Sequence, residues 1–208
     1  MFGIENYFTF LSAGILLNLT PGADTIYILT RSIAHGKRAG IYSVLGIATG
    51  TLIHIFFAAV GLSIILNTSA IAFNTVKYLG AGYLVYLGIK MIINKTNPFE
   101  NAKLSDKTGI KTIYRQAVLT NVLNPKVALF FLSFLPQFIS TNNNYGVIPF
   151  LILGGTFLTT GTLWCLVLAH SASYITIKLR NNTKSANVMQ KISGAVFLGL
   201  GVQIAFKK

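Results

Sequence analysis

Two stretches of this chain, between Arg38 and Lys77 and between Lys126 and Lys178, carry no Asp, Glu, Lys or Arg. Uncharged apolar runs longer than ~18 residues are the mark of membrane-spanning helices. The whole chain agrees, with 53% hydrophobic residues, 10% charged ones and a mean hydropathy of +0.64. Disorder needs low hydrophobicity and high charge density, so a basic disordered tail is excluded. The net charge of +13 does not mark a nucleic-acid binder either. Such proteins gather Lys and Arg on one face of a soluble fold, whereas here short basic groups separate long neutral stretches.

Six apolar segments are predicted at 4–30, 41–66, 71–93, 112–136, 147–177 and 189–206. The turn Arg31 to Gly40, the loop Asn67 to Asn74, the linker Asn94 to Lys111, the loop Ser140 to Tyr145 and the stretch Lys178 to Lys191 connect them. Basic residues alternate along these connections. Arg31, Lys37 and Arg38 mark the first, Lys90, Lys95, Lys103, Lys107, Lys111 and Arg115 the third, and Lys178, Arg180, Lys184 and Lys191 the fifth. The second and fourth carry none. By the positive-inside rule the basic connections are cytoplasmic and both termini lie outside. Lys207 and Lys208 run against the rule, which keeps a five-span arrangement with a re-entrant segment as the alternative. The start, MFGIENYFTF, lacks the positive region of a cleaved signal peptide, so the first apolar segment is expected to remain. The single cysteine, Cys165, excludes an intramolecular disulfide or a CxxC redox pair.

An internal repeat is visible. Residues 79–89 (LGAGYLVYLGI) align without gaps on 192–202 (ISGAVFLGLGV), small residue on small residue. The first and fourth segments each carry Asn before a mid-span Pro, in Asn18-Leu19-Thr20-Pro21 and Asn121-Val122-Leu123-Asn124-Pro125. Three spans per copy force the second copy to enter from the opposite face, which is the inverted-repeat plan of secondary transporters. The expected fold is all-α and polytopic: residues 1–93 and 112–208 as three-helix repeats, 94–111 as a cytoplasmic linker, and interruptions at Pro21 and Pro125.

Ionisable residues at membrane depth are costly, on the order of 2.5–3.5 kcal/mol, and point to function. Asp24 and Lys126 are two such residues. Thr20 as N-cap and Pro21 as first helical residue predict a break near Asn18 to Gly22 and a helix restart that leaves backbone N–H groups free to hold a carboxylate. Asp24 follows, seven residues before Arg31, or ~10 Å from the inner boundary. Lys126 repeats the grammar after Asn124 and Pro125, 11 residues beyond Arg115, ~16 Å into the bilayer. A cation at a helix N-terminus needs an anion beside it, either Asp24 or a substrate carboxylate. His54 and His170 are secondary candidates for proton relay, weighed against a packing role. Gly46 and Gly50 read as a close-packing pair. Tyr27, Tyr78, Tyr83, Tyr86 and Trp164 read as interface or core aromatics, and Thr159, Thr160 and Thr162 as a polar path or as bonds to their own helix backbone. No P-loop, GxGxxG, HExxH or paired cysteine is found, so no cofactor and no metal is expected.

The run Asn18 to Thr25, then Thr30-Arg31-Ser32 and Gly36-Lys37-Arg38-Ala39-Gly40, resembles the N-terminal half of the LysE/RhtB family of amino-acid exporters. Tyr83 to Lys90, Asn121 to Phe131 and Leu135-Pro136-Gln137-Phe138 carry the resemblance through the rest. It implies efflux of amino acids or close derivatives across the cytoplasmic membrane, driven by the proton gradient, with neutral substrates such as threonine, homoserine or leucine in the RhtB-like branch. The family often has Pro where Ala23 stands, so a softer break is expected here. Joined to the residues above, the resemblance implies a substrate site of Asn18, Thr20, Pro21, Gly22, Asp24, Asn121, Asn124, Pro125 and Lys126, with Asp24 and His54 in proton coupling. Asp24 would take the ammonium, and Lys126 or the Thr20 to Gly22 helix end the carboxylate. The expected partners are an amino acid and membrane lipid, with no nucleic acid and room for a homo-oligomer. The competing class is a non-transporting membrane scaffold in which Asp24 and Lys126 form a structural pair; a membrane enzyme lacks a nucleophile and base.

Overall fold

A computed structural model describes residues 2–62, 70–93, 108–140, 143–172 and 183–206. Among these, the elements are helices α1 (Tyr7–Leu19), α2 (Ala23–Phe57), α3 (Ala70–Ile93), α4 (Ile110–Val122), α5 (Pro125–Leu129), α6 (Ile148–His170) and α7 (Thr183–Phe206). Single π-helical turns follow α2 (Ala58–Leu62) and α5 (Phe130–Phe134), and a 3₁₀ turn (Leu135–Phe138) follows the second. An isolated bridge between Ile4 and Ile139 is the sole β pairing described. Large side chains stand outward along the helices, with Phe8 79%, Leu123 75% and Phe206 82% exposed. In water so many exposed apolar groups would invite association, whereas in lipid they are the natural outer surface.

The first break falls between Leu19 and Ala23, and Pro21 is buried inside it. Its chemistry departs from the expectation. Thr20 caps the end of α1, its hydroxyl donating to the Leu16 carbonyl at 2.8 Å, and α2 starts after an extended Gly22. The free carbonyls at the end of α1 offer that hydroxyl a nearer partner than the next helix does. The second break follows the predicted grammar. Asn124 accepts from the Lys126 N–H at 3.1 Å, Pro125 is the first residue of α5, and the two sides meet at 44°.

The ten-residue turn expected from Arg31 to Gly40 is instead helix on either side of one residue, Gly36, at φ 80°. Positive φ is where glycine goes without steric cost. The 39-residue apolar stretch Ala23–Gly61 would reach ~58 Å if straight, about twice a bilayer core. A methyl on Gly40 would collide with Ser32 Oγ, two residues that would lie ~12 Å apart along a straight helix. The chain therefore folds back at Gly36, and α2 is two arms, 23–35 and 37–57. Ile148–His170 also has the length and apolarity to cross a membrane, as does the bent pair Ile110–Val122 and Pro125–Phe138 taken as one span. The predicted loop to Asn74 is helix from Ala70, and α7 begins at Thr183, ahead of the expected 189. Residues 63–69, 94–107, 141–142, 173–182 and 207–208, which hold parts of the predicted second and fifth spans, of the linker, of the loop Ser140 to Tyr145 and of the fifth connection, lie outside the described residues.

Glycines set the helix pairings. In the second arm of α2, a Cβ on Gly46 would lie 2.5 Å from both Ala117 Cβ and the Tyr114 carbonyl, and one on Gly50 would lie 2.6 Å from Asn121 Oδ1. These two glycines let α4 lie against α2, as their spacing predicts. Between α1 and α6, Gly14 faces Phe157 and Gly161 faces Asn18. Helices α3 and α7 run antiparallel, with Gly88 against the Gly194 carbonyl and Gly201 against the Ala81 carbonyl. Lipid tails are as apolar as leucine, so such close backbone approach, rather than apolar burial, holds membrane helices together. Gly50→Ala is therefore expected to cost roughly 1–3 kcal/mol, read as a lower thermal midpoint in detergent. Gly155→Ala, with nothing within 4 Å of its new methyl, should not.

Candidate functional site

Both helix breaks and the second arm of α2 enclose a cavity whose lining includes Asn18, Asp24, Asn121, Lys126, Trp164 and Cys165. Thr25, Thr51 and Thr162 add hydroxyls, and Val44, Ile47, Val127, Phe157 and Leu158 supply apolar wall. Its volume is about 40 Å³, room for about three waters at ~10–15 Å³ each.

Asp24 is the second residue of α2, so its carboxylate lies at the positive end of that helix, where an anion is favoured. Asn121 Nδ2 donates to Asp24 Oδ2 at 2.8 Å. Asp24 Oδ1 is buried without a hydrogen-bond partner among the described residues, as are Asn124 Nδ2 and Trp164 Nε1. Buried polar atoms are nearly always paired. Asn124 lies off the cavity with its amide beside the Asp24 carboxyl, short of hydrogen-bond geometry, so the two orphans on the cavity itself, Asp24 Oδ1 and Trp164 Nε1, are the departure that invites a ligand.

Lys126 resolves its awkward position in a way the sequence did not foreshadow. Its Nζ donates to the Thr20 carbonyl at 2.8 Å and to the Leu17 carbonyl at 3.0 Å. The ammonium thus sits at the negative end of α1, where a cation is stabilised, although its own backbone begins α5. Two of its three N–H bonds are committed there, which leaves one for the cavity.

The remaining predicted residues divide by role. Asn18 donates to Thr160 Oγ1 at 3.1 Å and ties the end of α1 to α6. Thr20, Pro21 and Gly22 form the break itself; a Cβ on Gly22 would stand 3.5 Å from Lys126 Nζ. Asn124 is the buried cap of α5, while Pro125 is exposed on the far side of that helix, away from the cavity. His54 reaches the site through Asn121: its Nε2 donates to the Asn121 carbonyl at 3.1 Å, and its ring stacks on Phe131 at 5.9 Å. A carbonyl only accepts, so that nitrogen carries the proton. His170 is exposed at the end of α6, bonded to the Leu166 carbonyl, and is not at the cavity. Thr162 lines the cavity and Thr160 holds Asn18, whereas Thr159 is exposed and bonds back to Gly155. Thr25, Thr51, Trp164 and Cys165 had no assigned place at the site; each is an ordinary membrane-helix residue until the fold-back at Gly36 and the packing of α6 bring it inward.

The family model for "LysE type translocator" matches residues 15–208. A protein from Bacillus subtilis (strain 168), called uncharacterized membrane protein YrhP, is 34% identical over 96% of this chain and 98% of its own length. "Leucine efflux protein" from Salmonella choleraesuis (strain SC-B67) is 30% identical over 98% of this chain and 96% of its own length. The protein of that name from Klebsiella pneumoniae is also 30% identical, with the same coverage. No solved structure matches the chain.

Proposed function

The chain belongs to the LysE type translocator family, a transporter rather than an enzyme, and from that membership we propose that it exports neutral amino acids across the cytoplasmic membrane by proton-coupled alternating access. The observation that carries this reading is Asp24 Oδ1, a buried acceptor without a described partner, on a cavity that also holds the Lys126 ammonium and the Trp164 N–H. An amino acid presents the complementary groups: its ammonium suits Asp24, and its carboxylate suits the free Lys126 proton and Trp164 Nε1. The apolar wall of Val44, Ile47, Phe157 and Leu158 suits an uncharged side chain, and the leucine efflux proteins that resemble this chain are in keeping with that.

A cavity for about three waters is smaller than any such substrate, so binding requires it to widen. The inverted repeat supplies the means. Gly14 facing Phe157 and Asn18 facing Gly161 match Ala117 facing Gly46 and Asn121 facing Gly50, four residues apart in every case. The alignment of 79–89 on 192–202 pairs Ala81 with Gly194 and Gly88 with Gly201. Exchanging the copies therefore turns the Gly88–Gly194 contact into the Gly201–Ala81 contact. These correspondences favour six spans in two halves that rock about the site, with the basic connections cytoplasmic and both termini outside. A proton reaching Asp24 would release the ammonium, and His54 is held next to that step through Asn121.

Export from preloaded cells expressing the chain tests this, with labelled leucine, threonine, homoserine and lysine. At least one neutral member should leave several-fold faster than from control cells, and collapsing the proton gradient should remove the difference. No acceleration for any member would refute the reading.

A further inference from the structure

Two turns along α2 from Asp24, on the same helix face but outside the cavity lining, Arg31 is held by uncharged partners. Its NH2 group donates to Gln116 Oε1 at 2.9 Å and its NH1 group to Thr108 Oγ1 at 3.4 Å, with His35 Nε2 also at 3.4 Å. Its guanidinium lies over the Tyr27 ring at 5.3 Å, and Tyr27 in turn donates to the Ile113 carbonyl at 2.8 Å. These contacts join the first arm of α2 to α4. Among the described residues no carboxylate pairs with Arg31. The opposite end of the molecule is closed by different chemistry. Phe10, which stands two turns before Asn18 as Ile113 stands two turns before Asn121, packs on Phe130, Phe134 and Phe138 at ring distances of 5.6, 6.5 and 5.3 Å.

We propose that Arg31 is a capture site for the substrate carboxylate on the basic side of the cavity, and that the carboxylate displaces Gln116 from the guanidinium before the substrate moves along α2 to Asp24. A guanidinium holds a carboxylate by two parallel bonds between opposite charges, where the neutral Gln116 amide offers it one oxygen. Arg31 and Asp24 lie ~10 Å apart along the helix, too far to hold both ends of one amino acid together. Arg31 is therefore a first station, which hands the substrate on to the cavity. Among the described residues the aromatic cluster around Phe10 includes no such cation, so capture is assigned to the basic side. This inference rests on the exporter reading with that side cytoplasmic.

Inside-out vesicles, which present the cytoplasmic face outward, allow the test, using the neutral amino acid that cells expressing the chain export. Rates are taken per amount of folded protein. Arg31→Gln should raise the half-saturating concentration at least threefold while the maximal rate stays within about twofold. Arg31→Lys, which keeps the charge without the fork, should fall between it and wild type. Gln116→Leu removes the Gln116 bond but keeps the guanidinium, still held by Thr108 and Tyr27, and should not raise the half-saturating concentration. A rise below threefold for Arg31→Gln, or an equal rise for Gln116→Leu, overturns the inference and leaves the exporter reading standing. If wild type moves no member of the panel, the exporter reading falls and this inference falls with it.

Discussion

Asp24→Asn is expected to reduce export at least about 100-fold while the protein reaches the membrane in normal amount. Asparagine has nearly the same shape, and its carbonyl oxygen can still accept from Asn121 Nδ2, the bond that now holds Asp24 Oδ2. What disappears is the negative charge and the proton acceptor. A hydrogen bond to a charged group contributes roughly 1.5–3 kcal/mol, which is tenfold to more than 100-fold in binding at 1.4 kcal/mol per decade. Loss of the proton step adds to this. Asp24→Glu keeps the charge on a longer stem and should retain part of the activity. Initial export rates, paired with quantification of the membrane fraction, separate a dead transporter from an absent one. Normal export by Asp24→Asn would remove Asp24 from the mechanism.

The second large effect concerns Lys126. Lys126→Met should destabilise the protein by roughly 3–5 kcal/mol, because it strips the Leu17 and Thr20 carbonyls of their donor, each at about 1–3 kcal/mol, and removes the neighbouring charge that offsets the buried Asp24, with which Lys126 makes no direct ion pair. For a chain of this length that corresponds to a fall in thermal midpoint of roughly 6–20 °C. The double variant Asp24→Asn with Lys126→Met removes both charges, so the two effects should not add, and much of the lost stability should return. That variant separates the two function classes. If the pair only fixes helix packing, a stable double variant keeps whatever the protein does. In the exporter account it is folded and inactive. Thermal unfolding in detergent and export, measured on the same four proteins, give the answer.

Several of these features are legible in the sequence because their causes are local. Pro21 and Pro125 cannot continue a helix, and Asn124 before Pro125 is a cap by residue type alone, so both breaks appear where the prolines stand. Gly46 and Gly50 announce a close neighbour, and the match of 79–89 with 192–202 puts glycines where α3 and α7 meet. The cavity is less legible because it depends on which helices face one another. Thr51 and Trp164 acquire meaning only when the fold-back at Gly36 and the packing of α6 turn them toward Asp24. Lys126 is the sharpest case. Its depth marks it as unusual, but the partner it finds is the carbonyl end of α1, 106 residues earlier for Thr20. No sequence pattern advertises free backbone carbonyls.

The most direct test of the account is transport by the purified chain in liposomes loaded with the neutral amino acid that cells export. An imposed proton gradient should drive release from wild-type vesicles many-fold above protein-free ones, and vesicles holding Asp24→Asn should match the protein-free background. Equal release from wild-type, Asp24→Asn and protein-free vesicles would contradict the claim that this chain moves amino acids through a site built on Asp24.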